Sequence, residues 1–363
     1  MWFARRLKWP PQLLAVTLLV AASAAQTPPP IDDHGAPLVQ NFSPSNYDER
    51  ELLFGGTQGP DGLMYFANFG SVQIYDGQSW ERITVGDQPI LKVAPASASR
   101  IYVSPMGGFG RLDRGIDGAW SYTSLADQVP DATLPLDPIW TIVAQADGVW
   151  LSLPDRLVHF VEGNPTASRF WNRPGETPPV LVVLDDELHA FQNGHGLERW
   201  NGTDWEPVAP DAPALLDPRV RAITSLPNFP LVVVMDDGEL HRRDAQGNWT
   251  ERPSPLPASV ARRIVRAAKG LPDGRLVVAT QSAGVFFADA DGRLLDQLST
   301  QRGLSSDVIN SITTDHQGGI WLSHHRGASR IELDPRLSFF DSASGIESAG
   351  LSNMRDHRGR LYA

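Results

Sequence analysis

Cysteine is absent from the 363 residues. That excludes disulfides, thiolate nucleophiles, Cys-ligated zinc and a cysteine-borne lipid anchor. A chain of this size without covalent cross-links must be held by its hydrophobic core. Long apolar runs are also scarce. After Leu13–Ala22, no segment approaches the roughly 20 apolar residues of a spanning helix. Basic runs are missing beyond the first ten residues, and acidic residues outnumber basic ones by 42 to 31. Nucleic-acid binders carry a basic face, so no nucleic acid is expected as a partner. Helical periodicity is missing throughout. So are the Gly-x-Ser-x-Gly, His-Glu-x-x-His and phosphate-loop patterns of common catalytic sites.

What is present begins with a leader. Arg5, Arg6 and Lys8 precede the short apolar run Leu13–Ala22, and Ala22-Ser23-Ala24 offers the small residues that signal peptidase accepts. Residues 1–25 therefore read as a signal peptide, and the mature protein is expected in the periplasm or another extracytoplasmic space. Removing the leader leaves 28 Lys+Arg against 42 Asp+Glu, a formal charge of −14. The simplest consequence of that acidity is solubility.

The remaining chain repeats itself. Asp61-Gly62, Asp147-Gly148, Asp237-Gly238, Asp273-Gly274, Gly318-Gly319 and Arg358-Gly359 each precede a short apolar run, with weaker copies at Ser99-Arg100 and Asp186-Glu187. Their spacing averages about 42 residues, the length of a four-stranded propeller blade. Asp-Gly suits a two-residue hairpin because glycine accepts positive φ. A second tight turn follows about 20 residues later, with Trp80, Trp120, Trp205 or Trp249 opening the next strand, as expected for a once-per-blade aromatic. These tryptophans are expected between neighbouring blades. The expected fold class is all-β: a β-propeller of about seven four-stranded antiparallel blades over residues 38–345. Residues 346–363 would begin an eighth repeat, as the start of a second propeller or as ring closure.

The stretch Gly303-Leu304-Ser305-Ser306-Asp307-Val308, followed by Ile312, Asp315, Gly318, Ile320-Trp321-Leu322, Gly327 and Arg330, resembles the two-component regulator propeller repeat. It departs at Asp307, where that repeat usually has Asn, at Ser323-His324 and at Ala328. Asn41-Phe42-Ser43-Pro44, Tyr47, Gly62–Asn68, Tyr75-Asp76-Gly77 and Trp80 are similar to the opening of exported sensors built from such repeats. The resemblance implies an extracytoplasmic sensor of the triple-tyrosine-motif type. Further propeller, β-sandwich and membrane segments would follow in a full-length receptor, with a kinase, cyclase or DNA-binding output. The chain ends within the eighth repeat, so the expectation is the front part of such a receptor with its output missing.

No catalytic, cofactor-binding or metal-binding residue is assigned from the sequence, and the ligand-binding residues are unknown at this stage. His324-His325 stand out, but neighbours on a strand point to opposite faces and cannot readily share one metal. His195 lies in a glycine-rich turn. Asp185-Asp186 and Asp236-Asp237 look like the paired carboxylates of glycosidases, but each occupies a hairpin where aspartate favours the turn. Asp289-Ala290-Asp291-Gly292 opens like a calcium loop, but Thr300 occupies the position where an EF-hand has its acidic twelfth residue. Thr313, Asp315, Gly318 and Trp321 approximate the structural Asp-box of sialidase propellers. The leading reading is a non-enzymatic ligand sensor that takes a small molecule or oligosaccharide at the channel mouth. An exported carbohydrate-active propeller enzyme and a periplasmic protein-binding scaffold are the alternatives.

Overall fold

Short strands punctuated by hairpins form a row of antiparallel sheets. The structure, a computed structural model, describes residues 37–333 except 48–51, 130–135, 137, 211 and 259–264, together with the backbone of 355–357 and 360–362. The signal peptide expected at 1–25 lies outside the described residues, as does most of 346–363. Five sheets have four strands each. A sixth has seven, because the long strand Trp80–Ser97 pairs with Phe69–Tyr75 through its first half and with Arg100–Pro105 from Ile90 onward. Divided there, it gives blades 1 and 2, and the propeller has seven four-stranded blades.

The innermost strands are Gly55–Gln58, the second half of Trp80–Ser97, Thr141–Gln145, Val180–Leu184, Val220–Leu226, Val265–Gly270 and Ile309–Thr314. Each adjoins the next, and the last adjoins the first, so the row closes on itself. The chain's own beginning completes the closure. Leu38–Phe42 is the outermost strand of blade 7, paired antiparallel with Gly327–Glu332 from Leu38↔Glu332 to Phe42↔Ala328. Ring closure by the last strands is one of the two readings of residues 346–363, the other being the start of a second propeller. Those strands, Arg355–His357 and Arg360–Tyr362, instead pair with each other as a hairpin.

Seven apolar clusters fill the seven gaps between neighbouring blades. Strand Phe229–Met235 shows why. Val232 and Val234 pack with Leu276, Val278 and Phe286 of blade 6, while Leu231, Val233 and Met235 pack with Leu184, Phe191 and Leu197 of blade 4. With both faces buried, the strand reads as an unbroken apolar run rather than an alternation. Each such side chain contributes about 1.5–3 kcal/mol through its burial. Trp80, Trp120, Trp205 and Trp249 open the fourth strands of blades 1, 2, 4 and 5. All four join clusters between blades.

One repeat mark was assigned to the wrong hairpin. Asp237-Gly238 joins the second and third strands of blade 5, whereas Pro227-Asn228 joins the first and second. Without a glycine, Pro227-Asn228 carries none of the Asp-Gly signal, so the more conspicuous turn was counted in its place. At Asp185-Asp186 both residues have positive φ, 48° and 64°, as the type I′ turn between Leu184 and Glu187 requires. L-residues are strained there by their Cβ, which glycine lacks. Asp186→Gly should therefore stabilise the fold by about 0.5–1 kcal/mol, read as a higher urea midpoint at unchanged m-value. A lower midpoint would mean that the aspartate holds the turn by contacts that outweigh the strain.

Candidate functional site

A propeller has two channel mouths, one where the innermost strands begin and one where they end. A cavity of about 350 Å³ lies at the beginning of the innermost strands of blades 4, 5 and 6. Val180 and Val182, Arg221 and Ala222, and Arg266 and Ala268 come from those three strands. Phe191 and Asn193 reach it from the second strand of blade 4 and the turn after it. At the other end of the same strands, Asp185, Ser225, Asn228 and Lys269 border a wider cavity of about 830 Å³.

The narrower mouth combines an apolar wall with fixed polar groups, the usual composition of a small-molecule site. Val180 is 38% exposed although it sits on an innermost strand. Arg221 is held in place: its guanidinium donates to the carbonyls of Pro218 and Val220 at 3.3 and 3.0 Å and lies 3.7 Å from the buried Asp236 carboxylate. Asn193 donates through Nδ2 to Pro218 O at 3.2 Å, while its buried Oδ1 has no hydrogen-bond partner among the described residues.

A third cavity, about 720 Å³, opens between blades 4 and 5 and is bordered by Asp217, Arg219, Glu239, His241, Trp249 and Glu251. Here carboxylates do converge, but on a cation. Arg219 Nη2 lies 2.8 Å from Asp217, and Nη1 lies 3.4 Å from Asp237 and 3.5 Å from Glu239. The hydrogen bond from Arg219 holds the Asp217 carboxyl below its ordinary range. Carboxylates neutralised in this way are poorly suited to be the protonated acid of a glycosidase pair.

Several of the residues singled out in the sequence make contacts within the scaffold. His324 is fully buried and His325 is exposed. His324 Nδ1 accepts from Arg326 N at 3.1 Å, so its Nε2 carries the proton toward the hydroxyls of Ser305 and Ser329 at 3.1 and 3.0 Å. Ser329 in turn donates to Asn41 Oδ1 at 2.6 Å, which ties the histidine to the closing strand. His195 Nε2 lies 2.9 Å from Pro174 O and braces one loop on another. Asp289 Oδ1 accepts from the amides of Asp291 and Arg293, both at 2.9 Å, as in an ordinary hairpin. Asp291 pairs with Arg242 and Arg252 of blade 5. Among the described residues, no group of three His, Asp or Glu is arranged to hold a metal.

Burial, aided by the neighbouring charges of His325 and Arg326, pushes the His324 imidazole down to about 4. The neutral ring is thus favoured in the fold, and the stabilisation is complete above the unfolded value near 6.5. It should be lost as pH falls from there toward 4, by up to about 3 kcal/mol. Urea unfolding at pH 7.5 and pH 4.5 should show this loss, and His324→Gln should reduce the difference. An equal pH dependence in the variant would assign the effect elsewhere.

Arg221 and Arg266 were not singled out in the sequence. The available signal was a charged residue directly after the first valine of an innermost strand, in Val220-Arg221 and Val265-Arg266. It becomes meaningful only once those strands are known to line the channel.

No known protein family matches the sequence, and no curated protein matches it. Solved structures do match in fold. A streptogramin B lyase is 16% identical, with 82% of this chain and 98% of that one covered and a TM-score of 0.61. The extracellular domain of the putative hybrid two-component system BT3049 from B. thetaiotaomicron is 16% identical, with 90% and 49% covered and a TM-score of 0.61. That of the putative one-component system BT4673 from the same organism is 15% identical, with 80% and 39% covered and a TM-score of 0.61. The chain thus spans half or less of these two ectodomains. At such identities the likeness establishes the propeller fold. The neighbours include extracellular domains of putative one- and two-component systems and a lyase.

Proposed function

We propose that this chain is an extracytoplasmic sensing propeller of a two-component-type receptor, which binds a small molecule or oligosaccharide without transforming it. The observation that carries this reading is the narrower channel mouth, an apolar wall with Arg221 and Asn193 fixed beside it and, among the described residues, no carboxylate in its lining. The repeat signature around Asp315, Trp321 and Arg330 supports it, as does likeness to ectodomains of signalling receptors. Export would rest on the leader at residues 1–25. In a full-length receptor, further propeller, triple-tyrosine and membrane segments would carry the signal to an output domain. Binding would act through a difference in affinity between two arrangements of that receptor.

The test pairs a thermal-shift screen of a glycan panel with turnover assays on the same compounds. Stabilisation without product is the expected result. Product formation would overturn the reading in favour of an exported enzyme, the alternative to which the lyase-like fold gives some support.

A further inference from the structure

The seven innermost strands carry no aspartate or glutamate, although the chain has 42 acidic residues. Their charged residues are Lys92, Arg221, Arg266 and Lys269, all cationic. The chain contains only three lysines. One, Lys8, is in the leader, and the other two stand on the channel wall. Charge has been sorted: the acids lie on turns and outer strands, and the wall of the channel is positive.

Of these cations, among the described residues only Arg221 has a carboxylate partner; Lys92, Arg266 and Lys269 make no ion pair. Arg266 is exposed into the 350 Å³ cavity and makes no ion pair or hydrogen bond among the described residues. Lys92 is partly covered, and among the described residues no carboxylate faces its ammonium. Burial alone moves it below its ordinary range. A positive, narrow, low-dielectric passage concentrates field and draws anions from solution.

We propose that the channel takes a small hydroxylated organic oxyanion, seated at the mouth bordered by Arg221 and Arg266. The inference rests on the channel-mouth reading above and adds to it the chemistry of the ligand. A guanidinium matches a carboxylate or phosphate with two parallel N–H bonds. Arg221 is already oriented by two carbonyls and Asp236, and Arg266 is free to close on the anion. The unpartnered Oδ1 of Asn193 supplies an acceptor for a ligand hydroxyl, and Val180, Val182 and Phe191 supply a surface for its carbon skeleton. Acidic sugars and sugar phosphates share these features.

Calorimetric titration of the full chain with galactose, galacturonate and galactose 1-phosphate at fixed ionic strength separates the possibilities. At least one anion should bind about tenfold or more tightly than galactose, and more weakly as salt is added. A carboxylate source and a phosphate source are told apart by which anion wins. Arg266→Gln, which breaks no ion pair or hydrogen bond among the described residues, should bring that anion close to the level of galactose. Arg275→Gln, at a hairpin where Arg275 pairs with Asp273, should change nothing. The inference is overturned if neither anion outbinds galactose or if Arg266→Gln leaves the preference intact. Neutral sugars binding without turnover would then still support sensing. Conversion of a bound anion to product would leave the anion site standing and remove the sensing role.

Discussion

Deleting residues 37–43 should abolish cooperative folding of the propeller. The closing strand contributes five ladder pairs to blade 7, from Leu38↔Glu332 to Phe42↔Ala328. Phe42 is 5% exposed, stacks on Trp321 at 5.3 Å between centroids, and meets Tyr75 at 4.9 Å and Trp80 at 5.4 Å. It therefore joins blade 7 to blade 1, the one interface that the order of the chain does not provide. Asn41 adds side-chain bonds to Gly303 O at 2.7 Å and from Ser305 N at 3.2 Å. At Gly327, φ is 115° and a Cβ would collide with Phe42 O, so the third strand is shaped for the closing strand to lie against it. Without that strand, Gly327–Glu332 becomes an exposed edge with unpaired amides and carbonyls, open to aggregation. The expected result is a species that elutes as aggregate and loses its sharp urea transition. Phe42→Ala, a milder lesion, should cost about 3–5 kcal/mol. A deletion variant that remained monomeric with the parent midpoint would show that the ring does not depend on this closure.

Asp315→Ala should be the most damaging single substitution among the charged residues of blade 7. Asp315 is 8% exposed and accepts four hydrogen bonds. They come from Trp321 Nε1 at 3.0 Å, Arg330 Nε at 2.7 Å, Gln317 N at 3.0 Å and Gly319 N at 2.7 Å. Truncation leaves the Trp321 indole N–H unpaired inside the blade and removes the buried partner of Arg330, whose remaining ion pair among the described residues is with Glu332. Breaking a buried pair from one side costs about 3–5 kcal/mol. Asp315→Asn keeps the shape and should cost less, because the amide still accepts but carries no charge. Burial by itself would raise this carboxyl; the bonds from Arg330, Trp321 and Gly319 prevail and hold it below its ordinary range. Its contribution is therefore full above the unfolded value of about 3.9 and is lost as pH falls through the lower folded value. Urea midpoints at pH 7 and pH 3 should converge between parent and Asp315→Asn. A constant gap at both values would mean that the charge contributes nothing.

The same network shows how far the sequence could be read. Asp315, Trp321 and Arg330 carried the resemblance to the regulator repeat, and together they staple a hairpin to the third strand of its blade. Asp307 accepts from the amide and hydroxyl of Thr300 at 2.7 and 2.8 Å and fastens the loop before blade 7. The motif residues are thus legible because hairpins impose strict local demands, and they describe the scaffold. His324 drew attention as a possible ligand and proved to be a buried brace. Arg266, isolated in sequence, drew none and stands at the channel mouth.

The sequence by itself determined the class of fold, the length of the repeat and the position of most hairpins. These follow from interactions within a few residues: positive φ at Asp-Gly turns, aspartate side chains capping nearby amides, and apolar runs long enough for one buried strand. Tertiary structure alone decided that Leu38–Phe42 completes the last blade, that the turn at Asp237 belongs to another hairpin, and that Lys92, Arg221, Arg266 and Lys269 share one channel wall. Each of these depends on residues far apart in the chain meeting around a closed ring, and local sequence preference does not encode that geometry.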